Sequence, residues 1–163
     1  MMRNEDFERL YDEHAASLLA FLEYRTGNLE LAKDIHADTF ERILKTRWRF
    51  DPRKGAQKTW VYAIALNVLR DAGRRRAAEA RAYDRVAAGG ADNGWDETER
   101  LDDRDLVRRG LATLPDDERE AVALYYGADL SLEEIARITG TRTTTIKGRL
   151  ARARDRLRET LGP

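Results

Sequence analysis

The stretch SLEEIARITGTRTTTIKGRLARARDRLRE, from Ser131 to Glu159, reads as two helices joined by a tight turn. Ser131 and Glu134 form a capping box: the Ser hydroxyl accepts from the backbone three residues on, and the Glu reaches back. Ile135 and Ile138 give the first helix one apolar edge. Gly140 sits where the chain must turn sharply and a left-handed residue is favoured. Thr141 or Thr143 is placed to cap the second helix. Ile146, Leu150, Ala153 and Leu157 recur at three- and four-residue steps, which predicts one buried stripe. Small Ala136, four residues before Gly140, allows close approach, and Ile146, six after it, closes the small core. This spacing is the helix-turn-helix pattern.

Charge separates sharply along this part of the chain. Arg142 to Arg158 carries seven basic residues and one acid, Asp155. Gly110 to Thr141 carries seven acids and two basic residues. The whole chain is formally neutral, so a concentrated positive helix has been placed at one end. A charge run alone fits a solvated surface helix. On the second helix of a helix-turn-helix it points to DNA. Upstream, Leu114-Pro115-Asp116-Asp117-Glu118 predicts a clean helix start, with acids opposing the positive end of the helix dipole. Ala121, Val122, Leu124 and Tyr125 supply that helix's core face, and Gly127 is placed to end it.

The 163 residues suffice for one ordinary domain or two small ones. No apolar run approaches the length of a membrane span, so no membrane insertion is expected. The acidic N-terminus lacks a signal peptide's apolar core, which makes the cytoplasm the default location. There is no cysteine, hence no disulfide or thiolate site. Helical periodicity runs almost throughout, so the expected fold is all-α: two small helical domains joined by a flexible linker. No P-loop, G-x-S-x-G or Cys/His cluster is present, and neither catalysis nor a cofactor is predicted. His36 lies near Asp34 and Asp38, a set a metal could use, but a surface histidine is the plainer reading and no metal is expected.

In the N-terminal half, Phe7, Leu10, Tyr11, Leu18 and Leu22 predict a first helix over roughly 4–25. A turn at Thr26-Gly27-Asn28 leads to a second, with Leu31, Ile35, Phe40, Ile43 and Leu44 inside. A third helix begins near Trp60, where Trp60, Ile64, Val68 and Asp71 align with Asn67 beside them. Between these helices, Arg42 to Lys58 holds seven basic residues and one acid. Trp48 and Phe50 are interleaved, and Trp60 and Tyr62 follow. Cations track phosphates and rings stack on bases, so this composition suits single-stranded nucleic acid. Aromatics at helical spacing equally suit a core.

Two segments carry a family resemblance. AKDIHADTFERILKTRWRFDPRKGAQKTWVYAIALNVLRDAGRRR resembles conserved region 2 of bacterial extracytoplasmic-function (ECF) sigma factors, within the sigma-70 superfamily. LPDDEREAVALYYGADLSLEEIARITGTRTTTIKGRLARARDRL resembles their region 4. The matches span roughly 7–76 and 106–161, in the family's order. The resemblance implies a region 2 domain over 1–76, an acidic linker over 77–104 and a region 4 domain over 105–163. It implies that Asp34, Ala37, Asp38 and Arg42 face the β′ clamp helices of core RNA polymerase, and that region 4 engages the β flap. It implies that Arg47, Trp48, Arg49, Phe50, Lys58, Trp60 and Asn67 hold the opened −10 strand, Asn67 as base reader. It implies that on the recognition helix Thr144, Thr145, Lys147, Gly148, Ala151 and Arg152 meet −35 base edges. Arg149 and Arg154 serve phosphates or the helix's packing edge. Promoter DNA, the polymerase core and an anti-sigma factor are the implied partners.

Three positions depart from the family pattern. Ala37-Asp38 stands where Gln-Glu is usual, Thr144-Thr145-Ile146 where Gly-Thr-Val is frequent, and Gly148 where Ser is frequent. In the linker, Gly89-Gly90 and Gly94 are expected flexible points, Trp95 is an aromatic suited to docking, and helix is expected to return near Leu101. No further domain is expected after the recognition helix. Two other readings stay open: a stand-alone helix-turn-helix regulator, and a sigma-like protein that acts mainly by binding a regulator.

Overall fold

In the computed structural model, which describes residues 2–84 and 103–162, the chain is helical. Helix α1 (Asn4–Thr26) and α2 (Leu29–Thr46) form an antiparallel pair. The corner between them closes where the Gly27 N–H donates to the Glu23 carbonyl at 2.8 Å, and the Asn28 side chain accepts from the Leu31 N–H at 3.1 Å. A short 3₁₀ turn, Arg47–Arg49, leads to α3 (Gln57–Asp84), which packs on α2. Leu10, Leu18, Phe21 and Leu22 of α1 meet Ile35 and Ile43 of α2 and Val61, Tyr62 and Leu66 of α3 in the core. Phe21 and Tyr62 pack edge to face with ring centres 5.3 Å apart. Leu44, expected inside, is 44% exposed, because α2 turns that side away from both neighbours.

Helix α3 extends past Arg76 to Asp84, through residues that composition assigned to the linker. The segment AAEARAYD is made mostly of strong helix formers, so the helix continues on propensity after its packing partners end. Gly89-Gly90, Gly94, Trp95 and Leu101 lie outside the described residues.

The C-terminal half holds α4 (Asp103–Ala112), α5 (Asp116–Val122), α6 (Leu132–Thr139) and α7 (Thr143–Leu161). Helix α5 widens into a π turn over Ala123–Gly127. Tyr125 falls on its outer side and is exposed, contrary to its expected place in the core; the wider turn shifts the register by which Leu124 stays buried. The left-handed residue that follows is Asp129 at φ 56°, not Gly127. Arg119 ties the end of α4 to α5, donating to the carbonyls of Leu111 at 2.9 Å, Ala112 at 3.2 Å and Leu114 at 2.8 Å. Gly110 lets α4 lie against α7: a Cβ there would stand 3.0 Å from Leu157 Cδ2.

The helix-turn-helix corner follows its sequence pattern closely. The Ser131 hydroxyl accepts from the Glu134 N–H at 3.1 Å, and the Ser131 N–H donates to the Glu134 carboxylate at 3.3 Å. Gly140 is left-handed at φ 67°, and the Thr141 N–H donates back to the Ala136 carbonyl at 2.9 Å. Ile135 and Ile146 are fully buried across the corner. The threonine cap does not form. Arg142 occupies the cap position without a side-chain bond, Thr143 is already inside α7, and the Thr141 hydroxyl pairs with that of Thr139 at 2.9 Å.

The two halves also meet. Helix α1 contacts the π turn and α3 contacts α6, and the buried apolar residues form one connected cluster through both. Glu120 pairs with Arg25 at 3.7 Å and Arg70 at 3.3 Å, and Arg108 pairs with Glu23 at 2.9 Å. At the helix-turn-helix corner, Gly140→Ala forces a β-carbon into left-handed backbone and is expected to cost about 1–2 kcal/mol of stability, read as a lower urea midpoint at unchanged slope.

Candidate nucleic-acid and partner interfaces

Residues at four-residue steps on a helix share a face. Asp34, Ala37, Asp38 and Arg42 accordingly form one exposed stripe on α2. Asp34, Ala37 and Asp38 line an open groove of about 410 Å³ whose other wall is Ala72, Arg75, Arg76 and Glu79 of α3. Arg42 stands apart from that groove, with both terminal nitrogens 3.4 Å from Asp71 of α3. The Arg74 guanidinium, and after it Arg42, hold the Asp71 carboxyl below the usual carboxylate range. Sequence reading had not drawn the cationic α3 wall, Arg75 and Arg76, into this face. Only the helix pairing brings it there.

His36 lies on the same helix but turns inward. Its Nε2 is 2.8 Å from the Ala15 carbonyl, and its ring packs on Phe40, with Tyr11 on Phe40 beside it. It is half-buried and links α2 to α1, so the expectation of a surface histidine does not hold. Among the described residues no three His, Asp or Glu side chains converge as a metal site.

The basic-aromatic segment splits into two layers. Trp48 is 61% exposed, with the Arg49 guanidinium 4.8 Å from its ring centre. Phe50 instead packs on Trp60 with ring centres 5.2 Å apart, both half-buried against the core. Asp51 braces the loop: its carboxylate accepts from the Arg53 N–H at 3.0 Å, the main cause of its lowered pKa. Phe50 and Trp60, with Gly55 and Thr59, line an open cavity of about 320 Å³ whose rim includes Arg137 and Ile138 of α6. Arg47 and Lys58 are drawn elsewhere: Arg47 bonds Asn4, and Lys58 reaches the Asp129 carbonyl at 3.5 Å. Asn67 is exposed two turns along α3 from Trp60, on the same face. The structure therefore pairs Trp48 with Arg49 in an outer layer and Phe50 with Trp60 in an inner one, sets Asn67 farther along α3, and ties back Arg47 and Lys58.

On α7, Thr144, Lys147, Ala151, Arg152 and Arg154 are exposed, and Thr145, Gly148 and Arg149 are half-buried. Arg149 pairs with Asp117 at 3.4 Å, on the packing edge. Arg152 and Arg156 both reach Glu118, at 3.4 Å and 3.0 Å. Glu118, one of the acids that oppose the helix dipole at the start of α5, is only 3% exposed. Its signal was present in the sequence: Glu118 precedes Ala121 and Val122 by three and four residues and so lies on their buried stripe.

Two folded halves with these faces match a known pair of modules. The profile of Sigma-70 region 2 matches residues 10–79, and that of Sigma-70 region 4 matches residues 104–157. The RNA polymerase sigma factor CarQ of Myxococcus xanthus is 34% identical over 96% of this chain and 89% of its own length. The chain belongs to the sigma-70 family, in its extracytoplasmic-function group. The ECF sigma factor EcfG of Rhodopseudomonas palustris is 33% identical over 86% of this chain and 77% of its own length. Among solved structures, the sigma factor RpoE in complex with the anti-sigma factor NepR from Bartonella quintana superposes with a TM-score of 0.80 at 29% identity, covering 96% of this chain and 97% of that one. In this sigma factor, region 2 corresponds to α1–α3 and region 4 to α4–α7, and no helix among the described residues is long and apolar enough to cross a membrane.

The two aromatic layers separate in a stability measurement. Phe50→Ala removes half-buried packing on Trp60 and is expected to cost about 1–2 kcal/mol, whereas Trp48→Ala stays within about 0.5 kcal/mol. Chemical denaturation of both variants checks this.

Proposed function

We propose that this sigma factor is a dissociable RNA polymerase subunit that selects promoters through a −35 and a −10 element and traps the opened strand. The observation that carries the proposal is the presence of both region 2 and region 4 on one chain, with an exposed basic-aromatic layer on the first and an exposed basic helix on the second. Recognition here is a matter of binding energy. Opening a base pair costs a few kcal/mol of stacking and pairing, which Trp48, Arg49, Phe50 and Trp60 offset by enclosing the freed base, with Asn67 reading it. Lys58 and Arg47 act on phosphates once released from Asp129 and Asn4. Because the protein supplies placement rather than bond chemistry, it acts without catalysis or cofactor.

The α2 stripe of Asp34, Ala37, Asp38 and Arg42 is the proposed contact with the β′ clamp helices. Ala37 supplies no amide there, so the neighbouring acids and the cationic α3 wall carry the contact. Region 4 engages the β flap and places α7 in the −35 major groove. Thr144, Thr145, Lys147, Gly148, Ala151 and Arg152 face base edges, while Arg154 meets phosphate. The likeness to a sigma factor held by NepR supports an anti-sigma partner for this chain too. Its place of action is the cytoplasm, with promoter DNA.

In vitro transcription from a pool of random promoters, with core polymerase plus or minus the protein, tests the proposal. Protein-dependent transcripts sharing two upstream motifs are expected. Duplex binding without transcripts would return the stand-alone regulator. Asn67→Ala is expected to reduce permanganate reactivity of unpaired thymines while leaving duplex binding by region 4 intact. Lys147→Ala is expected to relax one −35 position by about 1–3 kcal/mol of discrimination, read from the same promoter pool.

A further inference from the structure

A buried carboxylate is costly unless it is paired, so a glutamate inside a domain needs a reason to be there. Glu118 has a side chain only 4% exposed, and its two oxygens face two arginines of α7. Oε1 lies 3.4 Å from Arg152 Nε and Oε2 lies 3.0 Å from Arg156 Nε. Both pairs run through the Nε atoms, which leaves the terminal nitrogens of Arg152 to other work. Arg152 remains 57% exposed, and its Nη1 lies over Gly148, where a Cβ would stand 3.2 Å away. Glu118 acts on these arginines by charge, since its buried Oε2 accepts no hydrogen bond, and the Arg152 guanidinium lies between that carboxylate and Gly148, along the helix towards its N-terminus, the direction helical side chains favour. Lys147 and Arg154 make no ion pair among the described residues. Docking of α7 on α5 does not depend on Glu118 alone, since Arg149 and Asp117 pair separately.

We infer that Glu118 is a positioning residue for promoter recognition: it fixes Arg152 in one pose over Gly148 before DNA arrives. The inference rests on the proposed role of α7 as the −35 reader. An unrestrained arginine loses much rotamer freedom on binding, and ordering it beforehand removes that cost and restricts which base edge it can reach. Gly148 belongs to the same device, because a Cβ there would crowd the Arg152 guanidinium and shift it by a few tenths of an ångström. Lys147, unrestrained, lies outside the device. Discrimination through Arg152 therefore depends on Glu118 and Gly148, and discrimination through Lys147 does not.

The test is transcription by the full chain with core polymerase on a library randomised over the −35 element. Arg152→Ala first identifies the base pair that Arg152 reads. Glu118→Gln keeps shape but removes the charge, and is expected to flatten preference at that same pair by about fivefold, the low end of a base contact's discrimination. The Lys147-dependent pair should keep its preference. In an Arg152→Ala background, Glu118→Gln should add no further change at that pair, the signature of coupling. Gly148→Ala reaches the same guanidinium from the exposed side, leaves Glu118 in place, and should reproduce the flattening even where Glu118→Gln lowers the yield of folded protein. An even loss across all positions, or a change at pairs Arg152→Ala does not touch, would mean that Glu118 only supports the fold and would overturn the inference. A −35 profile unmoved by Arg152→Ala would instead remove the base-reading role of Arg152, and the inference with it.

Discussion

The left-handed turn at Gly140 is the constraint on which the C-terminal half depends. Backbone at φ 67° reverses the chain within a few residues, and the Thr141 N–H closes it onto the Ala136 carbonyl. Ile135 of α6 and Ile146 of α7 are then both fully buried, one on each side of the corner. Once α7 is placed, its exposed stripe and its α5-facing stripe follow from helical period alone. Arg149, Arg152 and Arg156 fall on the edge towards α5, where Asp117 and Glu118 meet them. The candidate recognition surface is therefore as much a product of the turn as of the basic residues.

Neutral overall charge conceals a working arrangement of charge. Acids concentrate on α5 and on the start of α6, and bases on α7 and the loop after α2. Part of each set is spent internally: Glu120 holds Arg25 and Arg70 across the halves, and Asp71 holds Arg42 and Arg74. Lys147 and Arg154 of α7, which make no ion pair among the described residues, are exposed. The Asp71 pairs are exposed and contribute little individually, whereas Glu120 and Arg25 are each only 15% exposed where the halves meet.

The contact between halves bears on both candidate DNA surfaces. Arg137 and Ile138 of α6 stand at the rim of the cavity lined by Phe50 and Trp60, and Lys58 reaches the Asp129 carbonyl. Trp48 and Asn67 stay exposed in the same arrangement. The aromatic loop is thus divided into an outer part open to solvent and an inner part that faces the other half.

By itself, the sequence determined the all-α class, the capping box at Ser131, the Gly140 corner, the apolar stripe of α7 and the separation of charge. Each of these depends on residues close in sequence or on composition along one stretch, where period and propensity act directly. The family followed from the order of two such segments. The tertiary structure alone decided the rest. Leu44 and Tyr125 are exposed because their helices turn those sides outward, which no local pattern records. His36 is an inter-helix strut because α1 offers a carbonyl there. Glu118 was legible as an acid near a helix start, but its burial and its hold on Arg152 need α7 to lie across α5, over thirty residues later in the chain. Long-range packing sets which charges meet, and pairing then sets which side chains are free to recognise anything else.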